Sequence, residues 1–498
     1  MIRPPGGNLT GLSVGEMLGR QSVPRDPGWR SSLPRWCSRA WVTGAAGLAL
    51  AACSLGPPYR KPDIPAPEHW VSASEATARE WPASGWWRGF NSPDLDAYIA
   101  EAQRANDDLR AAIARVHEAD AQRRIAGAPL LPAVLATASA TRARAPAIGA
   151  GYSTGNDFTP LLTASYQLDF WGKSRAQLAA ASATARASRY DRTTVELTVM
   201  AAVATTYFQV LELRDRLAIA DANLANAREV RRGLKLEETA GTATALDVAQ
   251  QETVVDTVNA SIPPLRAALR QSLDALAILL GSTPEAVDVA HGGLDGLSEP
   301  QVRPGLPAEL LTRRPDVASA EAQLVSANAN IAAARAAFLP SISLTANGGY
   351  ESPALATLLE PASRIWSIGA GLTQPIFQGG ALAGQYAFAR ARYQELLADY
   401  HKAVISALAN VEDALTAVTE TREQVSRQRQ ATEQARRAYR FAQAQLHAGT
   451  IGVLTLLNTE TALFAAEDAL AQAKFAHLQA LVSLYQALGG GWQEEKPS

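Results

Sequence analysis

The sequence predicts a mainly α-helical chain with a transmembrane β-barrel portion, built from two copies of one unit. Three observations carry that prediction. Chain-breaking residues recur at a fixed offset, two stretches of 67 residues lack proline, and four segments alternate in the manner of membrane strands.

The repeat is read from its punctuation. Leu131-Pro132 matches Leu339-Pro340 at an offset of 208, and Phe170-Trp171-Gly172 matches Phe377-Gln378-Gly379 at 207. Ala240-Gly241-Thr242 matches Ala448-Gly449-Thr450, again at 208, with Leu246 against Leu454 and Glu252-Thr253 against Glu460-Thr461 beyond it. The first repeat spans 94–300: a helix over about 94–128, a β-hairpin over 133–170, a long helix over 173–239 and a return helix over 245–281. The second spans 301–498, with a helix over 316–337, a hairpin over 341–377, a long helix over 381–447 and a return helix over 452–489.

The strands are read from period-two alternation. Ile342, Leu344, Ala346 and Tyr350 alternate with Ser341, Ser343, Thr345, Asn347 and Glu351, and Trp366, Ile368, Ala370 and Leu372 alternate with Ser367, Gly369, Gly371 and Thr373. In the first repeat Leu162, Ala164, Tyr166, Leu168 and Phe170 alternate with Thr163, Ser165, Gln167 and Asp169, whereas 133–144 alternates only weakly. A small or polar second face over about ten residues fits a membrane barrel strand, and a half-buried soluble hairpin has the same period. Four strands cannot close a barrel, because the smallest membrane barrels have about eight, and open edges are not tolerated in lipid. If the strands span a membrane, several chains share one barrel.

Lys173–Thr239 contains only Gly233 as a breaker, and Ala381–His447 only Gly384. At about 1.5 Å per residue, each helix extends roughly 100 Å if unbroken. A coiled-coil rod is the plainest reading. Small residues on more than one face, such as Ala176, Ala179, Ala180, Ala183 and Ala187, favour helices with two neighbours each, as in a ring.

The amino-terminal end carries a different signal. Residues 1–52 hold six arginines against Glu16 and Asp26, followed by the short apolar run Trp41–Ala52 and then Cys53. A basic region, an apolar stretch too short to span a bilayer and a small-residue end describe a secretory signal peptide, 1–52, with translation starting at Met1 or Met17. Leu50-Ala51-Ala52-Cys53 resembles a bacterial lipobox, which makes Cys53 the lipidation site; an ordinary signal peptide with a chance cysteine is the alternative. The proline-rich segment after Cys53 reads as a semi-rigid tether within an anchor region, 53–93.

Composition excludes several functions. The formal charge is -2, without the basic stripe that a nucleic-acid partner calls for. The two cysteines, Cys37 and Cys53, offer no disulfide framework, and the six histidines show no paired ligand spacing, so no metal site is expected. There is no P-loop, no GxGxxG after a strand and no GxSxG, and we expect no enzyme.

Several motifs together resemble the TolC-like outer-membrane factors, in their NodT-type lipoprotein branch, over essentially the whole mature chain. They are the lipobox with Gly56-Pro57-Pro58-Tyr59 and Pro62, Trp86-Trp87 with Phe90 and Leu95, Asp169-Phe170-Trp171-Gly172, and the run Gly305–Asp316 with Glu321 following. The resemblance implies a homotrimer whose strands form a 12-stranded outer-membrane barrel, continued by a periplasmic α-barrel, with 282–312 and both termini as a belt. It implies the passive exit duct of a tripartite efflux system, fed by a periplasmic adaptor and an inner-membrane transporter, usually of the resistance-nodulation-division class. Type I protein secretion is the runner-up, and a structural periplasm-spanning lipoprotein is a more distant one. No cofactor is implied beyond the covalent lipid on Cys53.

The same resemblance assigns site residues. Gly241, Thr242, Gly449 and Thr450 close the turns that meet the adaptor; glycine suits the helix end and threonine can cap the next helix. Leu454 and Asn458, four apart, share a helix face, with Leu246 and Gln250 at the matching positions of the first repeat. The family narrows its tunnel here with a hydrophobic ring and then an acidic one. Leu454 fits the first, but Asn458 stands at the acidic position and Thr455 at another place where relatives carry Asp. Asp247 keeps an acid that relatives use to hold neighbouring helices, while Ile451 occupies the place of its basic partner. The closed pore is therefore expected to rest on Leu454 and on packing near Asp247, with little block by polyvalent cations. The bland alternative is that Leu454 is a coiled-coil core residue.

Overall fold

The computed structural model describes residues 58–65, 67, 69–71, 81–146, 151–289, 292–300, 302, 307–310 and 312–493. The signal segment 1–52 and Cys53 lie outside the described residues, as do Gly305, Leu306 and Leu311 of the motif run.

The first repeat opens on α1 (Pro93–Ala105) and α2 (Asp107–Gly127), where the sequence suggested one helix. The break is made by Asn106. Its backbone is extended, its side chain accepts a hydrogen bond from the Leu109 amide, and its own amide ends α1 on the Ala102 carbonyl. One residue thus terminates a helix and caps the next. Its side-chain amide also donates to the Leu279 carbonyl at 2.9 Å, docking the break on the end of α4 (Ala245–Leu279).

Strands β1 (Ala133–Pro146) and β2 (Tyr152–Leu168) follow, then α3 (Lys173–Thr239) and α4. The weakly alternating first segment is a strand of 14 residues. The hairpin ends two residues before Phe170, because Asp169 leaves the strand to start α3. Its carboxylate accepts from the amides of Ser174 and Arg175, both at 2.9 Å, satisfying donors that the first turn of a helix otherwise leaves free.

The second repeat comprises the short α5 (Pro307–Leu310), then α6 (Pro315–Ala336), β3 (Ser341–Tyr350), β4 (Arg364–Thr373), α7 (Ala381–His447) and α8 (Val453–Ala487). Both long helices have 67 residues and both return helices 35. Gly172 and Gly380 precede the long helices with φ of 78° and 87°. The counterpart of Gly172 is therefore Gly380, not Gly379, and the repeat keeps its offset of 208 throughout. Pro263 and Pro264 lie inside α4, where two backbone donors are missing, and α8 has Ala471 and Gln472 at those places.

The strands form one antiparallel sheet in the order β1-β2-β3-β4. Register places Val134 opposite Ala164, Ala164 opposite Ala346 and Ala346 opposite Ile368, so the four apolar sets share one face. Ser165, Thr345 and Gly369 lie in line on the other face. On the apolar face Trp366, Ile368 and Leu372 are exposed, at 78%, 78% and 69%. β1 and β4 are edges with unpaired backbone groups.

The main core gathers where α3, α6, α7 and α8 meet the segment around Trp86–Phe90. Trp86 stacks on Tyr485 with centroids 4.9 Å apart, and Phe90 packs on Phe208 at 4.9 Å. α3 contains an 18-residue window apolar enough to cross a membrane, but 56% of it is buried inside the protein. The sequence of α3 thus reads as core, and the membrane is left to the strands.

Candidate functional site

Each long helix ends on a left-handed glycine. The φ of Gly241 is 80° and that of Gly449 is 70°. At the first tip the Gly241 amide donates to the Glu238 carbonyl at 3.0 Å and the Thr242 amide to Glu237 at 2.8 Å. The second tip repeats the pattern, Gly449 to Leu446 at 2.8 Å and Thr450 to Gln445 at 3.0 Å. These paired bonds satisfy carbonyls that a helix end leaves free.

Thr242 and Thr450 do not cap the following helices as the sequence suggested. Each hydroxyl turns back to the carbonyl that its own amide already binds, Glu237 and Gln445, at 3.0 Å. α4 is instead capped by Thr244, whose hydroxyl accepts from the Asp247 amide while the Asp247 carboxylate accepts from the Thr244 amide at 2.8 Å. These bonds, the Thr244 hydroxyl's first, hold the Asp247 carboxyl below the usual carboxylate value. Asp247 thus secures the start of its own helix within the protomer. At the second tip Gly452 and Thr455 replace that pair, and α8 starts without a side-chain cap.

The two tip glycines have open surroundings, with nothing within 4 Å of an added Cβ at Gly241 or Gly449. Gly449→Leu therefore meets no clash, and its cost is the left-handed backbone, about 1–2 kcal/mol. We expect the variant to assemble normally and to lose efflux in a drug-susceptibility assay. Retained efflux with failed assembly would reduce the turn to a structural role.

Leu454 is 59% exposed, whereas Val453, Leu456 and Leu457 beside it are buried. Within the protomer, Leu454 is not a coiled-coil core residue. Asn458 is exposed on the same face, and Thr461 continues it. In the first repeat Leu246 is likewise exposed, at 65%.

Behind this stripe lies a seam between the two helical hairpins. Leu234 and Val248 pack against Val453 and Leu457 near the tips. Farther along, Gln251 and Glu460 are both fully buried, and the Gln251 amide donates to the Ala227 carbonyl at 2.9 Å and to Glu460 at 3.2 Å. Burial pushes the Glu460 carboxyl upward, with the Gln251 hydrogen bond opposing. Tyr439, also buried there, is pushed up to about 12. Sequence reading noticed Glu460 only as a repeat marker. Its counterpart Glu252 is a surface carboxylate near Lys235, at 3.3 Å. The missed signal is the apolar neighbourhood of Glu460, with Leu456, Leu457 and Leu463 within one turn of it.

The most specific motif proves to be a clasp. Arg314 binds Asp316 through two nitrogens at 2.9 and 2.6 Å and donates to the Ala487 carbonyl at the end of α8. Glu309 accepts from the Trp81 indole at 2.6 Å, and Arg313 lies over the same ring. Glu321 pairs with Lys61 at 2.6 Å. The run thus fastens the segment that follows the tether, and the carboxyl-terminal helix, to the start of α6. Among the described residues, no three of His, Cys, Asp and Glu converge as metal ligands.

A sheet with an apolar outer face, two open edges and helices of 67 residues ending in exposed tips defines an outer-membrane duct, a β-barrel share joined to an α-helical tunnel wall. The outer membrane efflux protein model matches twice, over residues 98–282 and 306–490. The chain belongs to that family and serves as an outer-membrane efflux channel of a tripartite system. It is 40% identical over 462 residues to the pyoverdine export outer membrane protein OpmQ of Pseudomonas aeruginosa, covering 91% of this chain and 97% of that one. It is 30% identical to the cation efflux system protein CusC of Escherichia coli, covering 90% and 97%. The outer-membrane channel OprN superposes with a TM-score of 0.83 at 30% identity, over 89% of this chain and all of that one. The open-state MtrE channel of Neisseria gonorrhoeae gives 0.80 at 28% identity, over 90% and 100%.

Proposed function

We propose that three copies of the chain close one 12-stranded barrel and form a passive duct with no catalytic step. It carries small molecules from a periplasmic adaptor and a resistance-nodulation-division transporter to the exterior. The open edges of β1 and β4 carry this reading, since lipid offers their backbone groups no partner. Relatives named for pyoverdine export, toluene efflux and cation efflux support a small-molecule cargo. Native mass measurement in detergent is expected to give three copies; a stable monomer that needs no detergent would refute the shared barrel.

The lipid anchor belongs to the same proposal. Lys61, fastened to Glu321, leaves eight residues of proline-rich chain back to Cys53, enough to reach at most about 28 Å. Cys53→Ser is expected to abolish palmitate labelling while leaving barrel insertion intact. Persistent labelling, or an uncleaved signal segment on the mature protein, would reject the anchor.

A further inference from the structure

The apolar face of the sheet ends in arginines. Arg142 and Arg144 follow Val134, Ala136, Ala138 and Ala140 on that face, since Arg142 pairs with Asn156 and Arg144 with Thr154 in the continuous β1–β2 register. Arg364 shares the face with Trp366 and pairs with Tyr350. Counted from the helix-proximal end of its own strand, Arg142 lies nine residues from Ala133, Tyr350 nine from Ser341, and Arg364 nine from Thr373. A tilted strand crosses the hydrocarbon in about 9–11 residues. Register sets Arg364 and Tyr350 in line with Ala138, four residues short of Arg142 on β1, a stagger of the kind that tilted barrel strands carry, and all three positions belong to the far boundary, where aromatic side chains border the apolar band.

These three arginines find no acidic partner among the described residues. Arg144 lies over the Tyr152 ring at 5.1 Å. Asp157 falls on the polar face and accepts from Thr159 at 3.0 Å. Glu351 follows Tyr350 with the opposite parity, and Glu360 sits in the loop between β3 and β4. At this level the outward face is cationic. In the trimer proposed above, on which this step rests, edge β1 of one protomer meets edge β4 of the next. That closure puts Arg142 and Arg144 on the strand next to a second protomer's Arg364, at the same membrane boundary. Like charges side by side on a sheet destabilise it unless something neutralises them.

We infer that each seam between protomers binds the phosphorylated headgroup of an outer-leaflet glycolipid, through Arg142 and Arg144 of one copy and Arg364 of its neighbour. Charge and height select this occupant. Guanidinium groups match phosphate oxygens in paired hydrogen bonds, and an acyl-chained phosphate at this depth keeps its tails against Trp366 and Ile368.

The test uses the full-length protein, purified in detergent and measured by native mass spectrometry with added diphosphorylated lipid A. The wild type is expected to retain up to three lipids per trimer. The variant Arg142→Gln/Arg144→Gln/Arg364→Gln is expected to stay trimeric and to lose about tenfold in occupancy, because the charge-assisted bonds are gone. Lipid A stripped of its phosphates should not bind the wild type. Equal occupancy in wild type and variant, equal retention of the dephosphorylated lipid, or preference for phosphatidylglycerol would overturn the assignment. A wild-type protein that is not a trimer would instead refute the shared barrel.

Discussion

Leu454→Ala is expected to raise the resting conductance of the reconstituted channel several-fold, and Asn458→Asp to create block by divalent cations that the wild type lacks. Both residues lie on the exposed stripe of α8, four positions apart, while their buried neighbours Val453, Leu456 and Leu457 hold the helix in place. Removing the Leu454 side chain therefore widens whatever the stripe faces without unpacking the seam behind it. In the Asn458→Asp trimer, three carboxylates around one axis would each attract a divalent ion by roughly 3 kcal/mol at about 6 Å and an effective dielectric near 40, before mutual repulsion and screening. The three amides of the wild type offer no such charge. Single-channel recording decides both points. Unchanged conductance in Leu454→Ala would move the constriction elsewhere, and strong cation block of the wild type would mean that another acid lines it.

Local pattern made much of the architecture legible in advance. The long helices announce themselves because proline is absent from Lys173–Thr239 and Ala381–His447, and glycines mark their ends. The strands are legible because lipid on one side and small polar groups on the other impose period two. What escaped was decided by side chains acting across the sequence. Asn106 splits a helix that apolar periodicity would carry through, because it caps α2 and donates to Leu279 far along the chain. Thr242 and Thr450 look like helix starters, yet their hydroxyls finish the preceding helices. The run ending in Arg314-Pro315-Asp316 was recognisable only by resemblance, since no periodicity records that Arg314 would reach Ala487. The seam at Glu460 was missed because the repeat equates it with Glu252, a surface carboxylate, and the leucines around Glu460 were the cue that set the two apart.

Glu460 gives the second large effect. Glu460→Ala is expected to destabilise the contact between the two hairpins by about 1–3 kcal/mol, because it removes the acceptor of one buried Gln251 N–H and leaves that side chain only its bond to the Ala227 carbonyl. Resting conductance should rise with it, since Leu457 on α8, three residues from Leu454, packs in the same seam. The pH dependence has a definite sign. Burial raises the carboxyl above its ordinary value of 4.5, so the packed seam favours the protonated acid. Below about 4.5 the acid is neutral whether the seam is packed or separated, and its protonation costs nothing. Above that value the separated form ionises first, so the seam weakens with rising pH until the packed form ionises too. Gln251 from α4 and Tyr439 from α7 supply no positive charge to reverse this trend. Glu460→Gln keeps the size and the hydrogen-bonding capacity but cannot ionise. It should hold the hairpins together at least as well as the wild type and flatten the pH profile of conductance between acid and neutral pH. The decisive comparison is the profile of Glu460→Gln against the wild type in the same bilayers: two profiles with the same slope would remove Glu460 from the control of opening, whatever Glu460→Ala does to stability.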